Sequence, residues 1–123
     1  MVHEALRAAR RLENNKTQNV SVEVIDPRTL WPLDETTILN SVKKTSRLVI
    51  AHEAPRRGGW GAELSSLVQE KAFDFLDAPI AIVAGRDAPL PYNANLEKEC
   101  IPGASDIMDA CFKVVARPGR PRR

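Results

Sequence analysis

At 123 residues, 43% hydrophobic and 28% charged, the chain has the size and balance of one globular domain with a real core, which excludes the disordered, fibrous and membrane-embedded classes. The formal charge of +2 is misleading: four of the eighteen basic residues, Arg117, Arg120, Arg122 and Arg123, crowd the last seven positions, and elsewhere fourteen face sixteen acidic ones. The basic charge therefore forms a tail and not a patch, which argues against nucleic-acid binding, and no apolar run approaches the ~20 residues of a membrane span.

Val2, Ala5, Leu6, Ala9 and Leu12 recur at helical spacing, and Glu13-Asn14-Asn15-Lys16 ends that first helix. Its charges leave no continuous apolar centre of a secretory signal. Cys100 and Cys111 form neither a disulfide framework nor a zinc pattern, so a reducing, cytoplasmic setting is expected. Val20, Val22 and Val24 alternate with Ser21 and Glu23 up to Ile25, which predicts a strand that stops at Asp26-Pro27. Leu33-Asp34-Glu35-Thr36 opens a second helix with Asp34 as its cap, Ile38, Leu39 and Val42 as its buried stripe, and Lys43-Lys44 at its negative pole. Leu48-Val49-Ile50-Ala51 reads as a strand covered on both faces.

A Pro- and Gly-containing loop over 54–59 leads to Trp60, Leu64, Leu67, Val68, Ala72, Phe73 and Leu76, the apolar face of a long helix. Pro79 starts another strand, Ile80-Ala81-Ile82-Val83-Ala84, closed by Gly85. Residues 86–102 read as irregular with one short helical turn. A last helix begins near Ala104-Ser105-Asp106 and buries Ile107, Met108, Cys111, Val114 and Val115. The folded domain is expected over 1–116, and the Arg/Pro/Gly tail over 117–123 is expected to be disordered.

Helix, strand, helix, strand, helix, strand, helix implies parallel strands joined by crossover helices: an α/β fold, a three-layer α/β/α sandwich on a mostly parallel open sheet. A chain that opens on a helix leaves that helix with no strand before it, so native sequence is expected upstream of Met1.

His52 and Glu53 close an apolar strand at the carboxyl edge where open α/β sheets bind ligands, and a histidine beside a carboxylate has the chemistry of proton transfer. Adjacent strand residues point to opposite faces, however, which favours a structural or interface role over catalysis. Arg56-Arg57-Gly58-Gly59-Trp60-Gly61 runs into a helix start, where free amides and the dipole attract an anion. The glycines match neither a Walker loop nor the dinucleotide spacing, so tight turning and close packing explain them more economically. A stand-alone small-anion or regulatory ligand-binding domain is the alternative reading of this loop. No Gly-x-Ser-x-Gly elbow occurs, Ser65 and Ser66 fall inside a helix, both cysteines fall on or near buried faces, and Asp74, Asp77, Glu97 and Glu99 lack ligand spacing. No catalytic, metal or cofactor-binding residue is expected. At the strand-to-helix turn the residues make Asp34 a helix cap and Arg28 its charge partner.

Three segments carry a family resemblance. Val22-Glu23-Val24-Ile25-Asp26-Pro27-Arg28-Thr29-Leu30-Trp31-Pro32-Leu33-Asp34 resembles the strand, turn and helix start of transketolase C-terminal domains. His52-Glu53-Ala54-Pro55-Arg56-Arg57-Gly58-Gly59-Trp60-Gly61-Ala62-Glu63 resembles the His-Glu-Ala-Pro, double-glycine and Gly-Ala-Glu pattern of the beta subunits of pyruvate, branched-chain and acetoin dehydrogenases. Leu76-Asp77-Ala78-Pro79-Ile80, then Gly85-x-Asp87-x-Pro89-x-Pro91-Tyr92, Leu96-Glu97 and Ile101-Pro102 resemble the same subunits in order and spacing. The likeness runs over about 2–116, and Met1-Val2-His3-Glu4-Ala5-Leu6 resembles the interior of the domain just after its first strand, which is expected to be lacking here.

The resemblance implies the C-terminal domain of the beta subunit of the decarboxylating component of a thiamine-diphosphate-dependent 2-oxo acid dehydrogenase, an oxidoreductase. In that family thiamine diphosphate and magnesium sit between an alpha-subunit domain and the beta subunit's N-terminal domain. Neither has a counterpart here, so this part alone is expected to be inactive and to bind no cofactor. The implied partners are the alpha subunit, a second beta subunit and the subunit-binding domain of the acyltransferase core. His52, Glu53, Pro55, Gly58, Gly59 and Gly61 map onto the family's loop near a subunit interface, with Arg56, Arg57 and the anchor Trp60 beside them. The arginine-rich tail departs from the short apolar or aromatic ending common in these subunits.

Overall fold

The computed structural model describes residues 1–117 and 119. Its elements are α1 (Val2–Glu13), α2 (Glu35–Thr45), β1 (Val49–Pro55), α3 (Trp60–Ala72), β2 (Ala81–Gly85), α4 (Ala94–Cys100) and α5 (Ala104–Val115). Of the tail expected over 117–123, Arg117 and Gly119 are described, and the remainder of that expectation lies outside the described residues.

β1 and β2 run parallel, with Val49 opposite Ala81, Ile50 opposite Ile82 and Ala51 opposite Val83, and α3 makes the crossover that a parallel pair requires. Two apolar clusters form. One gathers Ile38 and Val42 of α2, Ile50 of β1, and Leu64, Val68 and Ala72 of α3. The other gathers Ala8 and Leu12 of α1, Val20, and Ala104, Ile107 and Cys111 of α5. Alternate strand residues divide between them, Ile50 and Ile82 joining the first, Val49, Ala51 and Val83 the second, as the period of two demands. The sheet is therefore the middle of three layers, and the expected α/β class holds.

The strand expected over 20–25 is corrected: the sheet has two strands among the described residues, and this segment is not one of them. Its side chains still alternate, Val20 and Val22 packing into the α1/α5 cluster and Ile25 against the α2/α3 cluster. β-branched residues and two-sided burial hold the backbone out, but a ladder also needs a neighbouring edge within about 4.8 Å. The helix expected through Leu76 stops at Ala72, and a single 3-10 turn over Phe73–Phe75 carries the chain on. There the Asp77 amide donates to the Ser46 carbonyl at 2.8 Å, pulling the chain toward the next strand. Between β2 and α5 the short helical turn is the full helix α4, capped by Asn93, which accepts from the Asn95 and Leu96 amides. None of its residues is buried, so it carries no apolar period to read.

Candidate functional site

The loop between β1 and α3 is folded around glycines. Gly58 takes a left-handed φ of 68°, which turns the chain back toward the sheet. A Cβ on Gly59 would stand 2.2 Å from the Pro55 carbonyl oxygen, and one on Gly61 would stand 2.4 Å from Nε2 of His52. Both contacts are impossible for a side chain, so these two glycines exist to let the start of α3 lie against the His52 ring and the loop backbone. Neither ring nitrogen of His52 is exposed, and neither has a hydrogen-bond partner among the described residues.

Glu53 goes the other way. It is exposed and accepts from the Met1 ammonium at 3.2 Å, on the α1 side of the sheet, while His52 lies under α3. The two therefore do not act as a proton-transfer pair, as their adjacency on a strand anticipates. Arg56 Nη1 donates to the Ile82 carbonyl at 3.0 Å. Arg57 Nε lies 3.3 Å from Asp87 Oδ2, and its amide donates to Asp87 Oδ1 at 3.4 Å. The arginines are tied across the end of β2 and do not converge on the free amides of α3. Trp60 is half-buried and packs against the α2/α3 cluster, and Pro55 is exposed. Of the predicted residues, the structure brings together His52, Pro55, Gly59 and Gly61, draws in Asp87 for Arg57, and sends Glu53 elsewhere.

Asp34 caps α2, accepting from the Thr37 amide at 3.0 Å and from the Thr37 hydroxyl at 2.6 Å. The expected partner is corrected: Arg28 Nε pairs with Asp26 Oδ2 at 3.2 Å, because its own backbone turns at a left-handed φ of 61° and returns the side chain to the preceding carboxylate. Arg47 had no assigned role. Its Nε donates to the Val114 carbonyl at 2.9 Å and its Nη2 to the Arg117 carbonyl at 3.2 Å, tying the end of α5 to the start of β1. A partner 67 residues away leaves no local signal.

Several large apolar side chains lie in solvent. Trp31 is 91% exposed and Tyr92 fully so, with Leu30, Leu90 and Leu96 also in solvent. Trp31 and Tyr92 fall outside every helical or alternating pattern, beside Pro32 and Pro91, and that placement was the available signal. Cys111 is buried, and burial pushes its thiol up, away from the reactive thiolate. No cluster of three metal-ligating side chains occurs among the described residues. Among them, no helix is long and apolar enough to cross a membrane.

Residues 1–107 match the family described as transketolase, C-terminal domain. The chain is 53% identical over 110 residues to the pyruvate dehydrogenase E1 component subunit beta of Rickettsia felis, covering 89% of this chain and 33% of that one. Against the subunit beta of Rhizobium meliloti the figures are 45% over 113 residues, 89% and 24%. Against the mitochondrial subunit beta-1 of Arabidopsis thaliana they are 46% over 117 residues, 95% and 31%. The chain thus spans a third or less of the relatives it matches.

Proposed function

Because the chain belongs to the transketolase C-terminal domain family, we propose that it works as the C-terminal domain of a pyruvate dehydrogenase E1-type beta subunit, by association and without a reaction centre of its own. The observation that carries this reading is the 53% identity to such a subunit across 89% of the chain. The exposed Leu30, Trp31, Leu90 and Tyr92 support it, since large apolar side chains left in solvent are the anchors that interfaces bury. The partners are an alpha subunit, a second beta subunit and the subunit-binding domain of an acyltransferase core. The loop from His52 to Gly61 contributes an exposed rim of Glu53, Pro55, Arg56 and Arg57 on a glycine-packed base.

The described residues do not fit thiamine diphosphate and its magnesium. Arg57 is paired with Asp87, Arg56 is engaged by a carbonyl, and no cluster of three metal-ligating side chains occurs among the described residues. Decarboxylation of the 2-oxo acid would then belong to the rest of the assembly. The same Asp87 places negative charge where a free-standing anion-binding domain needs none, which counts against that alternative.

Trp31 offers the test. In a Trp60→Phe background its fluorescence is fully open to iodide, and adding a purified pyruvate dehydrogenase alpha subunit should reduce the quenching constant several-fold. Unchanged quenching at saturating alpha subunit contradicts this part of the reading.

A further inference from the structure

Beyond β2 the chain leaves the body of the domain and comes back to it. The Arg86 amide donates to the Cys100 carbonyl at 3.1 Å, so the two ends of the excursion meet at a neck. Between them every residue from Asp87 to Glu99 is exposed except the half-buried Pro91. Leu90, Tyr92 and Leu96 join neither apolar cluster.

The polar groups are equally self-contained. The Ala88 amide donates to the Arg86 carbonyl at 2.8 Å, Asn93 caps α4, and the Ile101 amide donates to the Glu97 carbonyl at 3.1 Å. Among the described residues, the hydrogen bonds of 88–99 all close within 86–101, and no ion pair ties this stretch to the body. Asp87, at its root, is the outward link. It accepts from the Arg57 amide and lies 3.3 Å from Arg57 Nε, while Arg56 holds the same loop to the Ile82 carbonyl of β2.

A helix of seven residues does not stand by itself, since nucleation costs more than its few hydrogen bonds return below about 12 residues. In α1, α2, α3 and α5 a buried apolar face supplies the missing stability, and α4 buries nothing. Opening it therefore uncovers no core.

We propose that segment 87–99 is a hinged arm, which opens as one unit about the Arg86–Cys100 neck while the sheet and its covering helices stay folded. Asp87 and Arg57 are its latch to the β1–α3 loop. Lys98, Glu99 and Cys100 at the arm's far root form one wall of a polar cleft of about 630 Å³, whose other walls include Ile82 and Ala84 of β2 and Lys113 of α5. Opening widens that cleft and bares the half-buried Cys100 thiol. The latch also makes arm and loop reciprocal: whatever draws Arg57 away frees the arm, and whatever holds the arm open frees Arg57. Both latch side chains are exposed, so the pair biases the closed state by about fivefold at most. The inference needs no partner and stands apart from the assembly reading.

Hydrogen exchange of the full chain in sub-denaturing urea tests the arm. Amides of α4 should be protected ~100-fold or more less than those of β1 and β2, at rates that ignore urea. Exchange of α4 with the protection and urea dependence of the sheet overturns the arm. Asp87→Asn and Arg57→Gln test the latch. Each should speed α4 exchange and thiol labelling of Cys100 by about three- to fivefold, the double variant no further, with Cys111 and the sheet amides unchanged. Unchanged labelling of Cys100 and unchanged α4 exchange overturn the latch. Should a variant also loosen the sheet, ~0.5 M NaCl added to the native chain screens the exposed pair instead. Faster α4 exchange in salt then supports the latch, and no change overturns it.

Discussion

Individual residues in the β1–α3 loop are chosen by what cannot fit. Gly61→Ala forces a methyl onto the His52 ring, and a urea titration should show a loss of about 1–3 kcal/mol, the usual cost of overpacking a close contact. Both ring nitrogens of His52 are buried with no hydrogen-bond partner among the described residues, so His52→Met should hold or raise stability in the same assay. Asp34 gives a pH signature. The Thr37 hydroxyl first, and then the Thr37 amide, hold its carboxyl below the ordinary carboxylate range. The folded value lies below the unfolded one, so this support is complete above the unfolded value and fades as pH falls through the folded one, below about pH 4. Asp34→Asn keeps an acceptor for the cap and should flatten that acid limb in a thermal melt without changing neutral stability much. The cap was legible because a carboxylate before an apolar period has one local use; its partner was not, since Arg28 answers to backbone torsion at the turn.

At the scale of elements, periodicity identified what packing enforces. α3 and α5 each lay an apolar stripe on the sheet, α2 packing beside α3 and α1 beside α5, and both paired strands occupy the runs that pattern marks. Where burial is absent the pattern is silent, as in α4, or runs past the true end, as in α3, where Phe73 sits at helical spacing but is half in solvent. The segment 20–25 shows the opposite case. Its alternation is real, yet a strand is a property of two edges, and one edge cannot be read from its own residues. Arg47 is an element-scale contact with no sequence signal, donating to the Val114 carbonyl in the last turn of α5 and to the Arg117 carbonyl just beyond it. Arg47→Ala should lower stability by about 1–3 kcal/mol in urea and fray α5 first, seen as faster amide exchange over its last turn.

For the whole molecule, the family resemblance in three segments and the similarity across 89% of the chain lead to the same place, a transketolase C-terminal domain similar to part of a pyruvate dehydrogenase E1 beta subunit, and the surface proposed for other chains rests on that likeness. What remained illegible is which large side chains stay in solvent. Trp31 and Tyr92 stand outside every helical or alternating pattern, which marks them as unburied by a periodic element, but that placement alone does not tell an exposed aromatic from one covered by an irregular segment. Sedimentation velocity of the chain mixed with a purified pyruvate dehydrogenase alpha subunit tests this most directly. The account predicts a faster-sedimenting complex that Trp31→Ser with Tyr92→Ser weakens by an order of magnitude or more, while the variant alone keeps its fold. Two independent boundaries at every ratio of the wild-type chain to the alpha subunit would contradict it.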